Sequence, residues 1–274
     1  MKIMNEKKEL NIVTVVQARM NSTRLPHKVI LTLEDKPLLI RELERISLSS
    51  ESGTVVVATS TEPADDPIFD LCIKEKINVF RGHPQDLLDR HFRVALEFKA
   101  DAVVKIPSDC PLIDPRIISK VINFYKSNSG SFDYVSNLHP ATYPDGNDVE
   151  VISFNALDDV WCNAEKNFER EHTTPYIWEN PHLYSIGNVY WETGLDYSMK
   201  HRWTIDYEED YLFIKEVFAE LYPQNPNFSL NDILLLLERK PELKKINERY
   251  IGVNWYRNHL NELKTITSVN TRII

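Results

Sequence analysis

The sequence has few cysteines, few glycines and no excess of positive charge, and each shortage narrows what the protein can be. Only three cysteines occur in 274 residues, without the spacing of metal ligands, which suits a reducing compartment. Seven glycines leave tight glycine-built turns scarce, and no G-x-x-x-x-G-K-[ST] phosphate loop is present. The net charge of −9 argues against non-specific binding to nucleic acid, which requires a basic surface.

Long apolar runs are also missing. No stretch approaches membrane-spanning length, and residues 1–10 are polar and lysine-rich, without the apolar core of a signal peptide. We therefore expect a cytoplasmic protein with no membrane partner. The apolar fraction of 42% is enough for a sizeable core, in one large α/β domain or two smaller ones.

Strand-like and helix-like segments alternate along the first half of the chain. This alternation predicts an α/β fold with a mostly parallel sheet and helices on both faces. The predicted strands cover residues 12–16, 54–58, 78–80, 102–106, 133–137 and 149–152. The predicted helices cover residues 67–76, 86–99 and 115–126; another begins at Pro37, and we expect helix from about 229 to 264.

The polar segment after the first predicted strand points to a ligand. Residues 17–28 read Q-A-R-M-N-S-T-R-L-P-H-K, with three cations and two hydroxyl groups. Loops at the carboxyl ends of strands are where open α/β sheets bind ligands. Arginine can hold anionic oxygens with two donors and lysine as a point charge, so the cluster suits a polyphosphate. A solvated basic loop is the alternative interpretation. The side chains concerned are Arg19, Ser22, Thr23, Arg24 and Lys28.

Two carboxylates follow apolar strand-like runs directly. Asp109 comes just after the predicted strand 102–106, and Asp206 ends an apolar run before a predicted helix. Mg²⁺ prefers carboxylate and phosphate oxygens, so the two aspartates are candidate metal ligands. A helix N-cap is the simpler role for Asp206, and it is the one expected for Asp114. Cys110 has no local histidine partner and is not expected to act as a nucleophile.

Several motifs in fixed order resemble one known family. Residues 17–28 are similar to its loop Q-A-R-M-G-S-T-R-L-P-G-K, with Asn21 and His27 in place of the two glycines. The later segments D-C-P-L-I-D-P, Y-P-D-G-N-D-V-E-V, R-E-H-T-T-P-Y and R-W-T-I-D also resemble family patterns. The family is the SpsF-like branch of cytidylyltransferases, named for a spore coat polysaccharide biosynthesis protein and related to the CMP-Kdo and CMP-acylneuraminate synthetases.

The resemblance implies a Rossmann-like sheet of the GT-A nucleotidyltransferase type, with a small β insertion at about 133–154. The catalytic domain would span 11–255, after the polar segment 1–10 and before a helix end and tail at 256–274. It further implies CTP as substrate, Mg²⁺ as cofactor and a homodimer.

The resemblance also assigns site residues. The loop 17–28 would hold the triphosphate of CTP, and the segment following residue 80 would lie near the base and ribose. The implied catalytic residues are Arg19, Lys28, Asp109 and Asp206, the two aspartates binding Mg²⁺. The implied nucleotide-binding residues are Gln17, Ala18, Arg19, Asn21, Ser22, Thr23, Arg24, Lys28, Arg81, Asp86 and Ser108. The implied acceptor-binding residues are Tyr143, Asp145, Asn147, Glu150, Arg170, Glu171 and His172.

Simpler roles remain open for some of these residues. Asp86 would also serve as a conventional helix N-cap, Glu150 and Glu171 as surface charges, and His172 as a capping or packing residue.

Three functions remain to be compared. The first is transfer of CMP from CTP to an anionic acceptor, either an acidic α-keto sugar or a phosphate or phosphonate compound. The second is a GT-A glycosyltransferase; these commonly hold metal through an Asp-x-Asp motif, which this sequence lacks. The third is a non-catalytic nucleotide sensor, made less attractive by the presence of both candidate metal ligands. The sequence favours the first.

Overall fold

The computed structural model describes residues 9–273, so most of the predicted N-terminal segment 1–10 lies outside the described residues. The strands are β1 (Ile12–Gln17), β2 (Thr32–Leu33), β3 (Lys36–Pro37), β4 (Thr54–Ser60), β5 (Asn78–Gly82), β6 (Ala102–Pro107), β7 (Tyr134–Ser136), β8 (Glu150–Ser153) and β9 (Ile186–Asn188). The α-helices are α1 (Leu38–Ser47), α2 (Asp66–Lys74), α3 (Leu87–Glu97), α4 (Pro115–Ser127), α5 (Phe154–Asn163), α6 (Asn167–His172), α7 (Pro175–Trp178), α8 (Glu208–Leu221) and α9 (Leu230–Arg239). Short 3₁₀ helices cover Lys28–Ile30, Pro63–Asp65, Pro241–Lys245, Glu248–Tyr250 and Trp255–Asn258.

Seven strands form one sheet in the order β5-β4-β1-β6-β8-β7-β9. Strands β5, β4, β1 and β6 pair in parallel, and only β8 runs against its neighbours β6 and β7. The predicted mostly parallel α/β sheet is therefore confirmed. Because parallel strands end at the same edge, the segments after β1, β4 and β6 emerge side by side.

The central strand β1 explains the two-sided core. Side chains alternate across a strand, so Val13 and Val15 face one side of the sheet while Ile12 and Val16 face the other. The first side is covered by α3, α5, α6 and α7, and the second by α1, α2, α4, α8 and α9. All four side chains are buried, as expected for a strand with helices on both faces.

Two predicted segments of the second half of the chain can be compared with the structure. Within the predicted β insertion 133–154, β7 and β8 continue the main sheet beyond β6. The predicted helix 229–264 is wrong beyond α9: Pro241 opens a 3₁₀ turn and Gly252, with φ 76°, turns the chain again. Among the described residues, no helix is long and apolar enough to cross a membrane.

Candidate active site

The loop after β1 is pinned to the sheet edge by its own backbone. Ala18 N donates to Ala58 O at 3.1 Å, continuing the pairing of β1 with β4. Met20 N donates to Asp65 Oδ1 at 2.7 Å, and the Met20 side chain is buried. His27 N donates to Met20 O at 2.9 Å, which closes the loop into a compact turn. These hydrogen bonds therefore fix the backbone of the loop that carries the cationic side chains.

His27, which replaces a family glycine, has left-handed backbone geometry, with φ 62° and ψ 15°. Most side chains avoid this region, and histidine tolerates it better than β-branched residues do. Asn21, which replaces the other glycine, has no positive φ. The loop thus keeps a glycine-like turn at one of the two substituted positions.

A close backbone approach brings the two candidate metal ligands together. Ile205 N donates to Asp109 O at 2.9 Å, so the chain leading to Asp206 runs beside the end of β6. On the other side, a Cβ on Gly146 (φ 100°) would lie 2.7 Å from the Trp203 carbonyl group. Only glycine therefore allows the turn at 143–148 to approach this stretch so closely.

Lys28 lies between the two carboxylates. Its Nζ donates to Asp109 Oδ2 at 2.6 Å, to Asp206 Oδ1 at 3.1 Å and to Ile205 O at 2.6 Å. Arg24 Nη2 donates to the same Asp206 oxygen at 2.5 Å. The structure therefore brings Arg24, Lys28, Asp109 and Asp206 together.

Burial and charge act in opposite directions on these groups. Burial favours the neutral carboxyl of Asp206, but Lys28, Arg24 and Arg202 outweigh it and hold the pKa of Asp206 below its usual range. Burial also disfavours the Lys28 ammonium, yet Asp109 and Asp206 raise the pKa of Lys28 overall. Both groups are therefore charged at neutral pH, and the site presents fixed charges rather than a proton switch.

The donor set fits Mg²⁺ in a complex with nucleotide phosphates. One ammonium nitrogen lies within 3.1 Å of both the Asp109 and the Asp206 carboxylate, so the two carboxylates face one point suited to a cation. Across residues 9–273, no group of three or more His, Cys, Asp or Glu side chains could hold a metal ion. Mg²⁺ typically uses one or two carboxylates and completes its shell with phosphate oxygens and water.

Arg202 and Asp210 support the site from beneath. The sequence predicts Asp210 on a helix surface, but the structure buries it: Arg202 Nε donates to its carboxylate at 3.0 Å. Asp210 also accepts from the backbone N–H of Asp206 at 3.0 Å and of Tyr207 at 3.1 Å. Arg202 Nη2 reaches Asp206 Oδ2 at 3.0 Å. This buried pair fixes the backbone and carboxylate orientation of Asp206.

The other predicted nucleotide-binding residues lie in different places. Arg19 is half-exposed and lies 3.7 Å from the Glu171 carboxylate, at the mouth of the crevice. Arg81 instead turns to the neighbouring loop, where its three guanidinium nitrogens contact Ser60 O, Glu62 O and Asp66. Apart from Asp86, which caps α3, the remaining residues of this set lie at the end of β1, on the loop after it or just past β6: Gln17, Ala18, Asn21, Ser22, Thr23 and Ser108.

Arg90 on α3 lies in the segment that the resemblance places near the base and ribose, but it is not among the predicted site residues. Its side chain is only 1% exposed, yet within residues 9–273 no hydrogen bond or ion pair reaches it, and its Nε and Nη1 are enclosed without a partner. Burial and the nearby Arg19 lower the pKa of Arg90 to about 10, opposed by Asp65 and Asp86. A buried, unpaired cation is costly for a free protein and is typical of a ligand site. A missing carboxylate partner leaves no signal in sequence.

The predicted acceptor clamp, Arg170, is paired with a carboxylate and a backbone carbonyl group. Its Nε and Nη2 both donate to one oxygen of Asp86, at 2.9 and 2.6 Å, and its Nη1 donates to Trp161 O at 2.7 Å. Asp86 also caps α3 by accepting from Asp89 N at 2.8 Å. The simpler role of Asp86 as an N-cap is confirmed, and Arg170 joins α6 to α3 instead of offering a free fork.

Three other predicted acceptor residues have structural partners. Glu150 is buried and pairs with Lys105, and the Tyr134 hydroxyl donates to it at 2.5 Å. Asn147 Oδ1 accepts from the N–H of Asp114, which caps α4 as expected. The Tyr143 hydroxyl contacts Lys120 on α4 and Glu192. These residue types suited sugar binding, but the side chains contact partners from segments that are distant in the sequence.

Asp145, Glu171 and His172 remain on the acceptor side. The Asp145 carboxylate lies 3.6 Å from Arg202, and Glu171 faces Arg19. The His172 ring stacks on Trp255, with centroids 3.7 Å apart. Burial, followed by nearby Lys105, lowers the pKa of His172 to about 3, so this imidazole is neutral at pH 7. It can offer a hydrogen bond but no positive charge.

Comparison with known proteins adds a direct test of the resemblance. The sequence model of the family described as "Cytidylyltransferase" matches residues 13–245, most of the chain. The chain belongs to the cytidylyltransferase family. The SpsF protein of Bacillus subtilis is 31% identical over 238 residues, which is 85% of this chain and 96% of that protein.

Solved structures agree with this membership. A cytidylyltransferase from Leptospira borgpetersenii aligns with a TM-score of 0.81 at 31% identity, over 86% of this chain and 97% of the other. A CMP:2-keto-3-deoxy-manno-octonic acid synthetase complexed with CTP aligns with a TM-score of 0.58 at 15% identity, over 77% of this chain and 99% of the other, and shares the fold. The enzyme class and Rossmann-like fold expected from sequence are thus confirmed, and the class is a nucleotidyltransferase.

Proposed function

We propose that this cytidylyltransferase transfers CMP from CTP to an anionic small-molecule acceptor and releases pyrophosphate. The observation that carries the proposal is the convergence of Asp109 and Asp206 on Lys28, beside Arg24, at the carboxyl ends of β1 and β6. Fixed cations next to a pair of carboxylates suit a metal-bound triphosphate, which needs both kinds of group.

The reaction is an in-line displacement at the α-phosphorus of CTP, in which an acceptor oxygen attacks and pyrophosphate leaves. The protein's part is to position the reactants and to neutralise charge. Arg24 and Lys28, held by Asp206 and Asp109, are ready to exchange carboxylate contacts for phosphate oxygens. Bound by Asp109 and Asp206, Mg²⁺ would supply charge neutralisation at the phosphates. Arg19, at the mouth, is placed to meet the outer phosphates.

The nucleoside side of the site is assigned to Gln17 and Arg90. Gln17 Nε2 donates to Leu87 O at 2.9 Å and contacts His91 Nδ1 at 2.7 Å, so its side chain is fixed at the start of α3. Arg90 supplies unpaired donors in the same region. Guanidinium donors suit either a cytosine oxygen or a phosphate, and both are acceptors of the required kind.

The acceptor is proposed to be an acidic α-keto sugar of the Kdo or nonulosonate type, destined for a surface polysaccharide. The family branch supports this choice, since SpsF is named for spore coat polysaccharide biosynthesis. A phosphate or phosphonate acceptor would be held by the same kind of cation and remains the second candidate. The same proposal includes Mg²⁺ as the metal, a homodimeric state and a cytoplasmic location. Metal titration would test the first, light scattering the second and cell fractionation the third.

The decisive experiment incubates the protein with CTP, Mg²⁺ and a panel of acceptors. Pyrophosphate release and mass spectrometry of CMP conjugates would be read together, and UTP and GTP would serve as nucleotide controls. We expect a conjugate only with acidic acceptors and a clear preference for CTP. Products from neutral sugars alone, or equal use of UTP, would refute the proposal.

A further inference from the structure

The segment 254–266, beyond the stretch matched by the family, is fixed against the acceptor side of the crevice. The Glu179 carboxylate accepts from Lys264 N at 2.5 Å and from Thr265 N at 2.8 Å. Leu263 is buried in the core between the sheet and α3, α5, α6 and α7. The segment is therefore a packed part of the domain rather than the tail that the sequence suggested.

Consecutive side chains of this segment reach residues on both sides of the predicted acceptor region. Trp255 stacks on His172, with ring centroids 3.7 Å apart and planes within 15°. Arg257 Nη2 donates to the Tyr207 hydroxyl at 3.0 Å. Tyr207 directly follows the candidate metal ligand Asp206, and the Arg24 guanidinium that contacts Asp206 lies 5.8 Å from the Tyr207 ring centroid, so Arg257 is linked through Tyr207 to the cation cluster.

Tyr256 lies between these two residues in the same 3₁₀ helix. Burial raises the pKa of its hydroxyl well above the ordinary value, and the charges of Glu150, Asp148 and Asp145 add to the effect. These carboxylates belong to the turn and strand for which the sequence predicts acceptor binding. Trp255 and Tyr256 thus lie near residues predicted to bind the acceptor.

Arg257, in the same 3₁₀ helix, is a cation with free hydrogen-bonding capacity. Its Nη1 is enclosed and has no partner within residues 9–273, and its one hydrogen bond goes to a neutral phenol. No carboxylate of residues 9–273 lies within ion-pair distance of the Arg257 guanidinium. By contrast, Arg170, the cation predicted to hold the acceptor, is paired with Asp86. A guanidinium that lacks an anion beside a binding site is matched by an anionic ligand.

We propose that Arg257 binds the acidic group of the acceptor and is a specificity-determining residue of this enzyme. The inference rests on the proposed function, because it names the residue that selects an anionic acceptor over a neutral one. The planar fork suits a carboxylate or a phosphate, whereas a neutral hydroxyl would leave the charge unpaired. The Tyr207 hydroxyl orients the fork, and the stacked pair Trp255–His172 fixes the start of the turn that carries it.

The test is a binding measurement that does not depend on turnover. The full chain would be saturated with Mg²⁺ and a non-hydrolysable CTP analogue and titrated calorimetrically with 3-deoxy-manno-octulosonate, glucose 1-phosphate or glucose. We expect the wild type to bind an acidic probe and Arg257→Gln to bind it at least about tenfold more weakly, the loss typical of a charge-assisted hydrogen bond. Affinity for the CTP analogue should stay within about twofold, and Arg257→Lys should be intermediate.

Arg272→Gln is the matched control, because Arg272 lies in the same C-terminal region, is exposed and donates to Ile251 O at 3.0 Å. It should behave as wild type in every measurement. Unchanged affinity of Arg257→Gln for the acidic probes, absence of acidic-probe binding by the wild type, or a main loss of CTP-analogue affinity would each overturn the assignment. A wild type that binds the acidic probe yet forms no CMP conjugate would count against the proposed function alone, while the binding comparison still decides the role of Arg257.

Discussion

Replacing Arg90 by methionine should make the free protein more stable while weakening its affinity for CTP. Arg90 is buried without an ion pair or hydrogen bond to any of residues 9–273, and burial lowers its pKa to about 10. Against an ordinary value of at least about 12.5, and at about 1.4 kcal/mol per tenfold change in proton affinity, the charge costs about 3 kcal/mol. Methionine has a similar length and carries no charge.

The expected gain is smaller than that cost because methionine will not reproduce every contact of the arginine stem. The stem lies against Gly82, where an added Cβ would come within 2.9 Å of Arg90 Cγ. We expect the free energy of unfolding to rise by about 2 kcal/mol, as when buried ionic groups elsewhere are replaced by apolar ones. For a chain of this size, the midpoint of thermal unfolding should rise by roughly 4 to 8 °C. Loss of a charged hydrogen-bond donor should weaken CTP binding about 10- to 100-fold.

Urea unfolding without nucleotide and calorimetric titration with CTP and Mg²⁺ would measure the two effects. Arg93→Met is the matched control, because Arg93 lies on the same helix, is half-exposed and has its ion-pair partner, Asp89, at 3.3 Å. It should change neither quantity appreciably. Destabilisation of the free protein by Arg90→Met, together with unchanged CTP affinity, would refute the reasoning and make Arg90 a structural residue.

Three further outcomes follow from the same geometry. Asp206→Asn should reduce kcat about 100-fold or more, the typical effect of losing an electrostatic group at such a site. The control Asp70→Asn, at an exposed position, should leave kcat unchanged. Near-wild-type turnover of Asp206→Asn with Mg²⁺ would contradict the metal assignment. Lys28→Ala should lower kcat more than it raises the KM for CTP, with exposed Lys74→Ala as control, and a pure KM effect would make Lys28 a ground-state binder. His27→Gly, at φ 62°, should raise the free energy of unfolding by about 1 kcal/mol in urea titrations, because glycine relieves the left-handed strain; a decrease would show that the histidine side chain stabilises the turn.

Strand pattern and motif order were enough to predict the fold and to place Lys28 and Asp109 at one edge of the sheet. Residues 12–16, 54–58 and 102–106 are apolar runs of strand length, and parallel strands must end at a common edge. Whatever polar groups follow them are therefore brought together, as Lys28 and Asp109 are. The failed helix at 229–264 contained signals that could have ended it, since Pro241 and Gly252 both interrupt helical geometry.

The choice of partner for each polar side chain could not be predicted in the same way. Asp86 pairs with Arg170, 84 residues away, and Glu150 with Lys105, 45 residues away. Nothing in the residue types distinguishes an arginine that joins two helices from one that faces a ligand. That distinction depends on packing between elements distant in sequence, which pairs Arg170 with Asp86 and leaves Arg257 Nη1 without a partner among residues 9–273.

The pairing of cations separates the framework of the site from its ligand-binding groups. Arg170, Arg202 and Lys105 are each paired with a carboxylate, and removing either member of such a pair would leave a buried charge uncompensated. Arg90 and Arg257 have enclosed nitrogens without partners among the residues described. A folded protein can tolerate unpaired cations where a ligand supplies the missing anion during function. CTP on one side of the crevice and an acidic acceptor on the other would together supply hydrogen-bond acceptors for both arginines.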